Sequence, residues 1–173
     1  MEAASLSIDL ELTQYGQTHP LAVRNRCLEY IVEKYSYHVR IYTDGYKSDS
    51  GCGCALFVEH DKTTRSVSLP KSSSVLSAEL FAIFQSLCWA KDNNEHKVAI
   101  FSDSLSRLQA IKHGKLDNTI VRDILSIHKT MVRKKITQIV DIFAGLDCTF
   151  STLSLRTLEN LYPNHVMPAH QIV

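Results

Sequence analysis

A chain of 173 residues with 45% apolar, 21% charged and 8% aromatic residues has the size and composition of one soluble globular domain, with material for a single substantial core. Its 19 Lys and Arg against 18 Asp and Glu leave a formal net charge of +1. This excludes a strongly basic nucleic-acid coat and an acidic disordered tail, so any contact with nucleic acid must come from a local patch.

The longest apolar runs, Cys54 to Val58 and Val98 to Phe101, fall far below the roughly 18 residues that a membrane span needs. Met1 to Leu12 has neither a basic start nor an apolar stretch, and it carries Glu2, Asp9 and Glu11. An intracellular protein, cytoplasmic or nuclear, is expected. The five cysteines, Cys27, Cys52, Cys54, Cys88 and Cys148, are odd in number and scattered, which favours reduced thiols. His165 and His170 have no Cys or His at finger-like spacing, so no zinc site is expected.

In chain order, a polar lead from Met1 to Thr18 precedes Pro20, a residue tolerated at a helix start. Leu21, Leu28, Ile31, Val32 and Tyr35 then form an amphipathic stripe ending near Ser36. Val39, Ile41 and Thr43 alternate with Arg40 and Tyr42, which predicts a strand stopping at Asp44 with Gly45 as punctuation. Gly51 to Glu59 and Arg65 to Leu69 predict a second and third strand, joined shortly enough for an antiparallel meander.

Ser72, Ser73 and Ser74 are cap candidates for a largely buried helix over Val75 to Asp92, where Leu76, Leu80, Ile83, Phe84 and Leu87 recur at helical spacing. Lys97 to Asp103 is a compact apolar strand that again stops at an aspartate. Ser104 can cap a short helix through Ile111, closed by Gly114, and Asn118 opens another whose inner face is Ile120, Ile124, Ile127 and Met131. Ile136 to Phe143 reads as a fifth strand, and Leu155, Leu158 and Leu161 could line a last helix. The order implies an α/β fold with a mixed sheet covered by helices. The divisions are an N-terminal flank with one helix over 1–37, a domain over 38–143 and an irregular tail over 144–173.

The helix linking the third and fourth strands allows the first and fourth to lie side by side and parallel, which would bring Asp44 and Asp103 to one end of the sheet. Ligands of open α/β sheets bind at the carboxyl ends of strands. Glu79 sits early in the most apolar helix between Ala78 and Leu80, where a solvated acid is out of place and needs a partner. Taken singly, Asp44-Gly45 is a turn signal, Ser102-Asp103-Ser104 a cap cluster, and Glu79 an acid favoured by the helix dipole. Their joint order is what those readings leave unexplained. Three converging acids call for a divalent cation, and hard oxygen ligands suit Mg²⁺ or Mn²⁺ in a two-ion site for phosphoryl transfer to water.

Four segments in this order, Tyr42-Thr43-Asp44-Gly45, Gly51-Cys52-Gly53-Cys54-Ala55, Ser77-Ala78-Glu79-Leu80-Phe81-Ala82-Ile83 and Phe101-Ser102-Asp103-Ser104, resemble the ribonuclease H type 1 domain. With Leu105-Ser106-Arg107-Leu108-Gln109-Ala110-Ile111, the chain looks most like domains at the C-terminal end of non-LTR, LINE-like retrotransposon polyproteins. The similarity covers about His38 to Phe143. It implies a five-stranded mixed sheet, endonucleolytic hydrolysis of the RNA strand of RNA–DNA hybrids, and Mg²⁺ held by Asp44, Glu79 and Asp103. Asp44 would bridge both ions, while Glu79 and Asp103 would each help fix one. An upstream reverse transcriptase region in a parent polyprotein is the implied partner, and a monomer is expected.

The resemblance ends where the family continues with a His-containing loop and Ala-Asp on a final helix. That helix is degenerate here, and the fourth metal-binding carboxylate has no assignable position. Asp141, Asp147 and Glu159 are the acids available in this stretch. The same fold without that acid could instead be an inactive nucleic-acid-binding module or a retroelement relic. Arg122, Lys129 and Arg133 near one helical stripe are candidates for phosphate contact. Thr43, Asn93 and Ser104 could meet the sugar 2′-hydroxyl or backbone. Tyr46 stands where retroelement domains commonly carry Ser, and Cys52 and Cys54 read as filler on one strand face.

Overall fold

The computed structural model describes residues 5–9, 20–49, 51–115, 117–131 and 136–141. Among them the elements follow as β1 (Ser5–Asp9), α1 (Pro20–Tyr35), β2 (Val39–Lys47), β3 (Cys52–Val58), β4 (Thr63–Leu69), α2 (Val75–Asp92), β5 (Lys97–Ser102), α3 (Leu105–Lys112), α4 (Thr119–Thr130) and β6 (Ile136–Asp141). The strands form one mixed sheet in the order β1-β6-β5-β2-β3-β4. The meander β2-β3-β4 is antiparallel, and β5 lies parallel to β2, as the sequence predicts.

The sheet has six strands rather than five. Its additional member is β1, which pairs in parallel with β6 from Ser5↔Ile136 to Asp9↔Val140. The segment Ser-Leu-Ser-Ile-Asp does carry a period-two pattern in Leu6 and Ile8. Five residues inside a polar lead are too few for that pattern to stand out, and only the free edge of β6 gives them a partner. Ile8 packs against the main core. A last helix around Leu155 lies outside the described residues.

One sheet face carries Ile41, Leu56, Val58, Val98, Ile100 and Ile139, and α2, α3 and α4 close over it with Leu80, Ile83, Leu87, Leu108, Ile111, Val121 and Ile124. Strand alternation puts Tyr42, Phe57 and Phe101 on the other face. There Tyr42 stacks on Phe101 at 5.0 Å between ring centroids, and Tyr35 of α1 meets Phe101 edge-on at 5.6 Å. Among the described side chains of α1, Ile31 and Tyr35 are buried, whereas Leu28 and Val32 of the expected stripe are exposed.

The caps place α2 firmly. Ser74 Oγ accepts from the Ser77 backbone N–H at 3.0 Å, and Lys47 Nζ donates to the Ser73 carbonyl at 2.7 Å. The end of β2 is thereby tied to the loop that launches α2. Asn118 caps α4 through Ile120 and Val121. Ser104 departs from expectation: its side chain makes no cap hydrogen bond to α3, and instead Ser102 Oγ accepts from the Ser104 N–H at 3.4 Å.

Strand β2 does not stop at Asp44. Gly45 lies inside it, opposite Cys54. A Cβ at position 45 would lie 2.5 Å from the Glu79 backbone nitrogen and 2.8 Å from the Ala78 carbonyl carbon. The glycine is needed for contact of helix backbone with strand backbone, not for a turn. Gly45→Ala is expected to cost about 3 kcal/mol or more, because backbone on both sides blocks relaxation. Gly51→Ala, with open space around its Cβ, should change stability by less than about 0.5 kcal/mol. Urea unfolding of the two variants measures the difference.

Candidate active site

Register explains why two of the three acids meet. The β2-β5 ladder ends at Tyr42↔Phe101, and continuing that parallel register by two residues sets Asp44 beside Asp103. Thr43 reinforces the juncture, its buried hydroxyl donating to the Phe101 carbonyl at 2.9 Å. Glu79 arrives from α2 because the helix backbone rests on Gly45. Carboxylate oxygens of Asp44, Glu79 and Asp103 all lie within 4.8 Å of one another, with Glu79 buried and the aspartates half-buried.

Such crowding has an electrostatic cost. Burial, followed by the charges of Asp103 and Asp44, raises the Glu79 carboxyl to about 8, while the Gly45 backbone N–H and the Arg107 charge partly offset them. One Glu79 oxygen, Oε2, is buried with no hydrogen-bond partner among the described residues. Burial also holds Asp103 above the ordinary aspartate range, against a backbone hydrogen bond that lowers it. The neighbouring Cys54 thiol is pushed up to about 12 by burial, then by Glu79, Cys52 and Asp44. Cys52, Cys54 and Cys88 are free thiols. Cys52 and Cys54 pack with Ala78 and Ala82 of α2, so they are fillers that let the helix come close.

The candidates for nucleic-acid contact are spread more widely. Thr43 faces inward, its hydroxyl engaged between two strands. Asn93 is the C-cap of α2 and donates to the Trp89 carbonyl. Fourteen helical residues separate it from Glu79, roughly 21 Å of axis, so it cannot serve the same end of the sheet. Ser104 is half-buried beside Asp103, and Arg122 and Lys129 are exposed on α4. Arg133 lies outside the described residues, as do Asp147 and Glu159. The backbone of β6 sets Asp141 opposite Ser102.

Two functional features escape the sequence. Gly45 resembles an ordinary turn glycine until α2 is seen against it, and Arg107 reveals its nearness to Glu79 only once α3 is folded. A basic residue one helical turn past the second strand-ending aspartate was the available signal for Arg107.

The sequence matches the family model described as RNase H over residues 36–154, more than half of the chain. No match was found among curated proteins. Among the described residues, no helix is long and apolar enough to cross a membrane.

The Glu79 shift dictates a pH dependence of stability. A carboxyl raised from 4.5 to about 8 on folding binds more protons in the folded than in the unfolded state between those values. Its protonation therefore favours the fold at low pH, and that contribution is lost as pH rises from about 4.5 through 8. In metal-free buffer, Glu79→Gln should unfold at higher urea than the parent chain at pH 8 to 9. At pH 4 the two midpoints should coincide.

Proposed function

The chain belongs to the RNase H family, and on that premise we propose that it is a divalent-metal-dependent endoribonuclease that hydrolyses the RNA strand of RNA–DNA hybrids. The observation that carries this reading is the convergence of Asp44, Glu79 and Asp103 at the carboxyl end of the two central strands. We further propose a retroelement origin, close to the C-terminal domains of LINE-like polyproteins, on the strength of the four ordered motifs and the Leu105 to Ile111 stretch. In that setting the chain acts as a monomer inside the cell, in cytoplasm or nucleus, downstream of a reverse transcriptase region.

The donor set fits a hard divalent cation. Three converging carboxylates, one of them with a buried oxygen lacking a hydrogen-bond partner among the described residues, provide the acceptor-only oxygen shell that such ions take. Asp44, Glu79 and Asp103 would hold Mg²⁺ or Mn²⁺, in a two-ion arrangement. When bound, the ions supply positive charge for the substrate phosphate and Lewis acidity toward its oxygens.

The chain's own contribution is positional. The Gly45 N–H orients Glu79; Thr43 fixes the separation of the strands bearing Asp44 and Asp103. Packing on both faces of the sheet keeps the three acids in place before substrate arrives, the preorganisation that makes electrostatic catalysis effective. Ser104, next to Asp103 and with a hydroxyl not spent on capping, is placed to meet a sugar hydroxyl. Arg122 and Lys129 on α4 offer phosphate attraction farther along the duplex.

Purified chain should cleave the labelled RNA strand of a hybrid in Mg²⁺ and stop on chelation. Asp44→Asn should lower the rate ~10²- to 10³-fold, the usual effect of losing one electrostatic contributor. Folded protein that binds the hybrid without cleaving it, at any Mg²⁺ or Mn²⁺ concentration, would replace the enzyme with a binding module. Absence of both binding and cleavage would point to a relic. Independently of turnover, millimolar Mg²⁺ should raise the melting temperature of the parent chain, and the rise should disappear in Asp44→Asn.

A further inference from the structure

Arg107 lies in the first turn of α3, four residues beyond Asp103, and its charge reaches Glu79. A guanidinium in the turn that follows one carboxylate and within electrostatic reach of another would ordinarily close a salt bridge. It does not: among the described residues its only side-chain bond is from a terminal nitrogen to the adjacent Ser106 Oγ at 2.8 Å. Its Nε is buried and has no hydrogen-bond partner among the described residues. A buried donor on a permanent cation is costly to leave unmatched. The half-buried side chain thus stands in the helical turn that follows Asp103, with donor capacity that no other group among the described residues uses.

We propose that Arg107 is the phosphate-binding residue of this site, taking the non-bridging oxygens of an RNA-strand phosphate next to the one presented to the triad. The assignment rests on the hybrid-cleaving reading. The planar fork of arginine matches the oxygens of a phosphate, and its position four residues past Asp103 couples that grip to the acid it follows. An internal counter-ion for the acids would be expected to contact a carboxylate, and Arg107 contacts none among the described residues. A phosphate is also the anion that must approach three acids in the proposed reaction, and a fixed cation beside them favours that approach.

The test measures binding of the full chain to a fluorescently labelled RNA–DNA hybrid in EDTA, where no cleavage occurs, by anisotropy over a KCl series. Arg107→Gln should weaken binding about tenfold and reduce the slope of log affinity against log salt by about one, the signature of one lost phosphate contact. Arg107→Lys should keep most of the slope. Lys91→Gln, at the exposed far end of α2, serves as the charge control and should match the parent. In Mg²⁺, Arg107→Gln should raise KM about tenfold and alter kcat less than threefold.

Thermal melts confirm folding of each variant. Parent-like affinity and slope in Arg107→Gln, with the parent binding and cleaving normally, would overturn the assignment while leaving the functional reading in place. A lowered melting temperature with unchanged hybrid binding would likewise overturn it and make Arg107 a counter-ion for the triad. A parent chain that neither binds nor cleaves the hybrid would overturn both.

Discussion

A single close approach governs this structure: the backbone of α2 at Ala78 and Glu79 lies directly on the backbone of β2 at Gly45. Side chains normally hold a helix away from a sheet, and a glutamate on such a helix would end among apolar residues above it. Here a glycine on the strand, Ala78 and Ala82 on the helix, and the small thiols of Cys52 and Cys54 beside them remove that spacing. Glu79 then reaches the plane of the sheet, and a strand N–H becomes available to its carboxylate. The clip from Lys47 to Ser73 and the Ser74 cap fix the rotation and start of the helix. Without them the close approach would not select one residue as the inward acid.

What that approach creates is an arrangement that folding alone disfavours. Three acids are drawn together, one is desolvated, and the thiol of Cys54 is pushed up by its burial and then by the charges of Glu79 and Asp44. The offset comes from elsewhere in the molecule: an apolar layer of α2, α3 and α4 on one face and a stacked aromatic layer of Tyr35, Phe101, Tyr42 and Phe57 on the other. Phe101 precedes Asp103 by two residues, and Tyr42 precedes Asp44 by two. Each aspartate thus extends from a strand whose preceding same-face residue is locked in a ring stack, so core packing sets the aim of the carboxylates. Sites that store unfavourable charge in this way commonly trade stability for function.

Much of this was legible in the sequence because it rests on local patterns. Alternation located β2, the helical repeat located α2, and two strands leading to aspartates located the site. The parallel pairing of β2 with β5 followed from the intervening helix. What stayed hidden depends on contacts between distant segments. β1 has only Leu6 and Ile8 as a pattern, and its pairing is chosen by the edge of β6. Gly45 has the chemistry of a turn residue, and its role exists only against Ala78. Ser104 looks like a cap, but its side chain makes no cap hydrogen bond to α3, and its own N–H donates to the Ser102 hydroxyl.

The pairing of β1 with β6 imposes an order on synthesis. Ser5 meets Ile136, so β1 is made before the other strands of this sheet and waits while they are synthesised. At ~5–20 residues per second that interval is roughly 7 to 26 s. During it the segment is too short to pair stably by itself, and the β2-β3-β4 meander and α2 can assemble from neighbouring residues. The outer edge of β6 is thus covered by residues already made when β6 appears, which shortens the time for which that edge can pair with another chain.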